Sequence, residues 1–183
     1  QKLMSTNDLA GILLMSEPEV RYFSGFNTQF WQSPTRPWFL FVPAEKKPIA
    51  VIPEIGAILM RSTWIDDIRT WSAPCPKDDG ISLLQDLLEP FSKSKARLGI
   101  MKGHETVLRM PLRDYERLIS SLPGIELVDA TDMIRHLRMI KSVAEIEKIE
   151  HICKIASQTF EKAGEIFYKG QPLAEAFRAF RIE

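Results

Sequence analysis

The chain has 183 residues, 24 of them basic and 24 acidic, for a formal net charge of zero, which leaves no electrostatic case for nucleic acid or an anionic membrane as partner. Hydrophobic residues make up 45% and charged residues 26%, a balance that excludes a largely disordered chain. No apolar run approaches the ~20 residues of a membrane helix, and Gln1 to Asp8 lacks the apolar core of a signal peptide.

The first pattern is Ile12-Leu13-Leu14-Met15, a short apolar run that suits a buried strand. Glu17 to Phe23 follows as a helix, with Pro18 near its start, where a missing N–H costs nothing, and Ser24-Gly25 as its end. Trp38 to Val42 and Pro48 to Ile52 are the next two strands, joined by the turn Pro43 to Lys47. Pro53-Glu54 opens a short helix with Ile55, Ile58 and Leu59 expected inward. Ile68 to Trp71 is a fourth strand, Ser72 to Asp79 a Pro- and Asp-rich loop, and Ile81 to Phe91 an amphipathic helix. Arg97 to Met101 is a fifth strand, Leu112 to Leu122 a helix broken by Pro123-Gly124, and Ile125 to Val128 a sixth strand. Asp129 then caps Ala130 to Leu137. Strand–helix alternation with one hairpin predicts an α/β fold, a mixed six-stranded sheet with flanking helices.

A boundary is expected near Met139 to Ser142, dividing the chain into 1–140 and 141–183. Behind it, Ser142 and Glu145 have the spacing of a capping box. Ile146, Ile149, Ile152, Cys153, Ala156, Phe160, Ala163 and Phe167 recur at helical spacing and predict one long helix, Val143 to Tyr168, with a core-facing stripe. A second helical pattern runs from Leu173 to Phe180. An apolar face of that length is expected to be covered, here by an intermolecular contact. The chain reads as stopping soon after a second domain has begun, so the catalytic machinery is expected beyond Glu183.

The residues that carry chemistry are sparse. His104, His136 and His151 lack the spacing of a zinc-binding pair and read as surface or helix-end histidines. Asp67 and Asp78, eleven apart and flanked by Asp66 and Asp79, have a spacing that some dinuclear metal enzymes use; an ordinary solvated loop accounts for them as well. Cys75 and Cys153 stand in a Pro-rich loop and on a helix face, so no disulfide is expected and a reducing cytoplasm fits. No nucleophile elbow, phosphate loop or dinucleotide fingerprint occurs, and Ser24 has no recognisable His partner. The loop from Phe26 to Trp38 is different, because it holds Phe30, Trp31 and Arg36 between stiffening prolines at 34 and 37. Trp and Arg are the types enriched where one surface meets another. Phe30, Trp31 and Arg36 are therefore candidates to face a substrate or partner, against the alternative that the rings cover a sheet edge. Trp64, near Arg61, is a further candidate, with core packing as its competing reading.

Two stretches resemble a known family. Pro18-Glu19-Val20-Arg21-Tyr22-Phe23-Ser24-Gly25-Phe26 resembles the Pro, Tyr, Ser/Thr-Gly-aromatic stretch of the creatinase / aminopeptidase P / prolidase family. Arg138-Met139-Ile140-Lys141-Ser142-Val143-Ala144-Glu145-Ile146, about 120 residues later, resembles the junction at which that family's N-terminal domain hands over to its catalytic pita-bread domain. The resemblance implies a ribonuclease-H-like mixed sheet for residues 1–140 and the first helices of the catalytic domain for 141–183. It implies a parent that hydrolyses Xaa-Pro bonds in short peptides, with two divalent metals, manganese being the expectation, held by residues after Glu183 and none in this stretch. It also implies a cytoplasmic homodimer, in which loop residues Phe30, Trp31 and Arg36 lie where creatinase-like proteins present an aromatic and an Arg to the neighbouring active site. A creatinase-like C–N hydrolase and a metal-free binding or scaffold protein of the same fold remain the alternatives.

Overall fold

Ile12 and Leu14 fall on one side of their strand and Leu13 on the other, and both sides are buried. An all-apolar run of this kind belongs in the middle of a sheet covered on both faces. The computed structural model, which describes residues 1–33 and 36–183, shows that arrangement. Its elements are α1 (Lys2–Thr6), β1 (Gly11–Leu14), α2 (Glu17–Ser24), β2 (Phe39–Pro43), β3 (Ile49–Pro53), α3 (Ala57–Arg61), β4 (Asp67–Trp71), α4 (Ile81–Lys93), β5 (Arg97–Ile100), α5 (Leu112–Ser121), β6 (Glu126–Asp129) and α6 (Thr131–Met139). They are followed by α7 (Val143–Glu161), α8 (Ala163–Ile166) and α9 (Leu173–Ile182). The contacts divide the chain into two units, Gln1–Arg135 and His136–Glu183, with the division inside α6.

In the first unit the sheet runs β4-β3-β2-β1-β5-β6. Strand β2 is antiparallel to both β1 and β3, and the other pairings are parallel, so β2 is the one reversed strand of six. Register pairs Leu14 with Leu40 on β2 and Leu13 with Ile100 on β5. Alternation then sorts the side chains. Ile12, Leu14, Leu40, Val42, Ala50 and Ile52 meet Met4 of α1, Val20 of α2, Met60 of α3 and Ile134 of α6 on one face. Leu13, Phe39, Phe41, Val51, Leu98 and Ile100 meet Ile81, Leu84, Leu87 and Leu88 of α4 and Leu118 of α5 on the other.

Three expectations change. Ile55, Ile58 and Leu59 are exposed, at 58%, 82% and 43%, while Ala57 and Met60 are buried. The entry turn Glu54–Gly56 is a 3₁₀ turn, and its tighter winding rotates the following helix relative to an α-helical reading. Gly56 lies against Trp38, where an added Cβ would stand 2.4 Å from the ring. Secondly, the expected single helix Val143 to Tyr168 ends at Glu161 and resumes as the short α8. Gly164, a poor helix former, falls in that second piece. Thirdly, the second unit has no core of its own: no residue of α7, α8 or α9 is buried. The stripe expected to be core therefore lies open, with Ile146 and Ile152 at 44% and 63% exposure. The capping box does form, Glu145 N–H donating to Ser142 Oγ and Ser142 N–H to Glu145 Oε2.

Candidate functional site

The loop from Gly25 to Trp38 leaves α2 through Gly25, whose φ of 78° is the left-handed conformation that glycine adopts freely. Ser24 is 1% exposed; its hydroxyl donates to the Val20 carbonyl and accepts the Phe26 N–H at 3.0 Å. It is a structural hydroxyl that closes the helix. Thr28 Oγ1 accepts the Phe30 N–H at 3.3 Å and starts the 3₁₀ turn Gln29–Gln32. The contribution expected from Pro34 lies outside the described residues.

The turn delivers its rings into an aromatic cluster. Phe26 and Trp38 are fully buried, and Trp31 is 5% exposed. Trp31 meets Phe26 edge-on at 6.1 Å between centroids and lies 5.7 Å from Trp38. Phe30 stacks on Trp38 at 6.5 Å and 19°. Half-buried Arg36 places its guanidinium 5.8 Å from the Phe30 ring centroid, a cation–π distance. The indole N–H groups of Trp31 and Trp38 are buried with no hydrogen-bond partner among the described residues.

One residue from a distant loop closes the site. Arg109, between β5 and α5, is 9% exposed. Its Nε donates to the Arg36 carbonyl at 3.1 Å, and its Nη2 to the Trp31 carbonyl at 2.8 Å and to the Ser33 carbonyl. Its guanidinium carbon lies 4.9 Å from the Trp31 ring centroid. Burial pushes its pKa down, opposed by the charge of Glu17, and an arginine stays protonated through such a shift. Sequence reasoning missed Arg109; its one signal is a cation set between Leu108 and Met110 ahead of Pro111.

The four sequence candidates thus divide. Phe30 and Arg36 sit half-buried at the loop surface, while Trp31 is inside, under Arg109. Its buried ring offers little surface to a ligand, because it fills the gap between Phe26, Trp38 and the guanidinium. Trp64 stands apart from that stack, 54% exposed, with its Nε1 donating to the Phe23 carbonyl at 3.1 Å.

The carboxylates at 66–79 do not converge. Asp66 pairs with Lys47, Asp67 with Arg69, and Asp78 with Arg117. Asp78 also accepts from Ser82, and Asp79 from the Trp71 indole and the Cys75 N–H. His104, His136 and His151 are exposed. Among the described residues no group of three or more His, Cys, Asp or Glu is placed to hold a metal ion. Among the described residues no helix is long and apolar enough to cross a membrane.

This architecture has known counterparts. The recombinant prolidase of Thermococcus sibiricus superposes with a TM-score of 0.76 at 18% identity, over 98% of this chain and 46% of that one. The Xaa-Pro dipeptidase of Bacillus anthracis gives 0.71 at 15% identity, over 99% and 45%. An uncharacterized hydrolase/peptidase of Sinorhizobium fredii, y4tL, is 31% identical over 96 residues, 52% of this chain and 23% of that protein. The chain therefore spans less than half the length of these relatives. The profile of the Creatinase/Prolidase N-terminal domain matches residues 1–140, the sheet with all of its helices. The six-stranded mixed sheet, its covering helices and this match make the chain a member of the creatinase/prolidase N-terminal domain family.

Proposed function

We propose that this chain is the non-catalytic N-terminal domain, with the leading helices of the catalytic domain, of a hydrolase that cleaves Xaa-Pro bonds in short peptides. The family match across residues 1–140 carries the reading; the prolidase and Xaa-Pro dipeptidase named above support the substrate class. In this reading the first unit serves dimerisation and the shaping of an active site, with Phe30 and Arg36 as its substrate- or partner-facing pair. A guanidinium beside a ring suits a peptide, which offers a carboxylate and apolar side chains. Two divalent metals, manganese by expectation, would be held by residues outside this chain and would polarise the scissile carbonyl. The parent is assigned to the cytoplasm as a homodimer.

The test is purification of the full-length protein and assay of Xaa-Pro di- and tripeptides with and without manganese, with light scattering for the oligomeric state. Metal-dependent turnover by a dimer is expected. A folded protein that leaves peptides intact and hydrolyses a small guanidino or amide compound without metal replaces this reading with a creatinase-like one. A folded protein inactive on both classes replaces it with a binding or scaffold role.

A further inference from the structure

The backbone of the loop that carries Phe30 and Arg36 is held by one side chain 73 to 78 residues further along the chain. Arg109 donates to carbonyls on both flanks, those of Trp31 and Ser33 before positions 34 and 35 and that of Arg36 after them. The same guanidinium lies against the Trp31 ring. From it the contacts run in an unbroken series, Arg109 to Trp31, Trp31 to Trp38, Trp38 to Phe30, Phe30 to Arg36. The series begins at a buried cation and ends at a half-buried one, and among the described residues Arg36 pairs with no carboxylate.

The place of the site in the sheet bears on what this does. Loop 25–38 enters β2 beside the carboxyl end of β1, since Leu14 pairs with Leu40. Arg109 follows the carboxyl end of β5, the parallel neighbour of β1. In open α/β sheets the crevice at the carboxyl ends of parallel strands is where ligands are bound. The loop that enters β2 and the loop between β5 and α5 both lie at that end of the sheet. Arg109 bridges the two.

We propose that Arg109 is a positioning residue: its guanidinium holds the backbone at Trp31, Ser33 and Arg36 through their carbonyls and so sets where Phe30 and Arg36 are offered to a peptide. The proposal rests on the peptide-hydrolase reading above. A planar fork is what this geometry requires, because Nε and Nη2 serve carbonyls on opposite flanks of the loop. A lysine keeps the charge and loses the fork.

The test uses the full-length enzyme and a peptide substrate with a free C-terminal carboxylate, comparing R36A, R109Q, R109K and the double variant R36A/R109Q. R36A is expected to raise KM by about tenfold, the scale of one charge-assisted hydrogen bond. R109Q is expected to raise KM by a similar factor with kcat within about twofold, and the double variant to be no worse than R36A, since residues acting through one contact are not additive. R109K is expected between wild type and R109Q. L84A, in the core on the opposite face, lowers the melting temperature and leaves KM unchanged, which separates positioning from lost stability. Wild-type KM in R36A overturns the substrate-facing reading and the inference with it. Raised KM in R36A beside wild-type KM in R109Q and R109K overturns the inference alone, as does a double variant whose effect is the product of the two. Should R109Q fail to fold, R109K carries the same comparison.

Discussion

Helix α4 begins at Ile81 with Gly80 in the capping position, and a glycine has no side chain to accept the first free N–H groups. Asp78 supplies the acceptor instead. Its carboxylate takes the Ser82 N–H at 3.0 Å and the Ser82 hydroxyl, and stands 3.6 Å from Arg117. Replacing it by alanine removes a cap worth about 1 kcal/mol. It also removes an ion pair whose side chains are 31% and 44% exposed, worth only a few tenths of a kcal/mol at that exposure. The expected loss for Asp78→Ala is therefore about 1–1.5 kcal/mol near neutral pH. Burial raises the Asp78 pKa, but the Ser82 hydrogen bonds and the Arg117 charge together outweigh it, so the net shift is downward. A carboxylate whose folded pKa lies below its unfolded one contributes fully above the unfolded value and loses the contribution as pH falls through the folded value. Urea unfolding at pH 7 and at steps down through the carboxylate range is the assay. The gap between wild type and Asp78→Ala should be widest at pH 7 and close on acidification. Asp78→Asn, which keeps an oxygen for the Ser82 N–H and does not titrate, should fall between them at pH 7 with a shallower acid limb. An Asp78→Ala protein within about 0.3 kcal/mol of wild type at pH 7, inside the ordinary surface range, refutes the capping argument. So does a deficit that persists undiminished at the acid end.

Other sites give sharper contrasts. Gly124→Ala would put a Cβ 2.0 Å from the Ser92 carbonyl oxygen, a backbone atom of α4, and should cost about 3 kcal/mol in chemical denaturation, the upper range for overpacking. Trp64→Ala removes a ring that is 54% exposed and donates a hydrogen bond to the Phe23 carbonyl; stability should change by no more than about 1 kcal/mol, and a loss of core size would show the ring to be structural. Ser142→Ala removes the oxygen that accepts the Glu145 N–H, so hydrogen exchange at that amide should accelerate by roughly fivefold, the equivalent of about 1 kcal/mol of cap.

The sheet was readable because its signals are local. Ile12 to Leu14, Phe39 to Val42 and Ile49 to Ile52 are apolar at successive positions, and both faces of those strands are covered. The breakers Gly25, Gly80 and Pro123 fall outside the elements they bound. The short helix α3 shows where local pattern fails. Ile55, Ile58 and Leu59 make one helical stripe and Ala57 and Met60 another, and spacing alone does not choose between them. The choice is made by Trp38, whose ring occupies the space beside Gly56 and so turns the small side of the segment inward. The information lies in Trp38, the residue just ahead of β2, not in the helix itself.

The loop site was harder for a different reason. Interface statistics single out Trp31 and Arg36 by residue type, yet the structure uses the two in opposite ways, Trp31 as a buried support and Arg36 as a half-buried end. What separates them is Arg109, and Arg109 recognises carbonyl oxygens, which every residue carries. No residue type in the loop announces that contact, so no motif search would find it from the loop side. The same fact predicts tolerance: Ser33→Ala keeps the carbonyl that Arg109 holds and should leave the melting temperature within about 0.5 kcal/mol equivalent of wild type, whereas Arg109→Gln strands three carbonyls at once. If Ser33→Ala destabilises the protein as much as Arg109→Gln, the loop is held through its side chains and the backbone account is wrong.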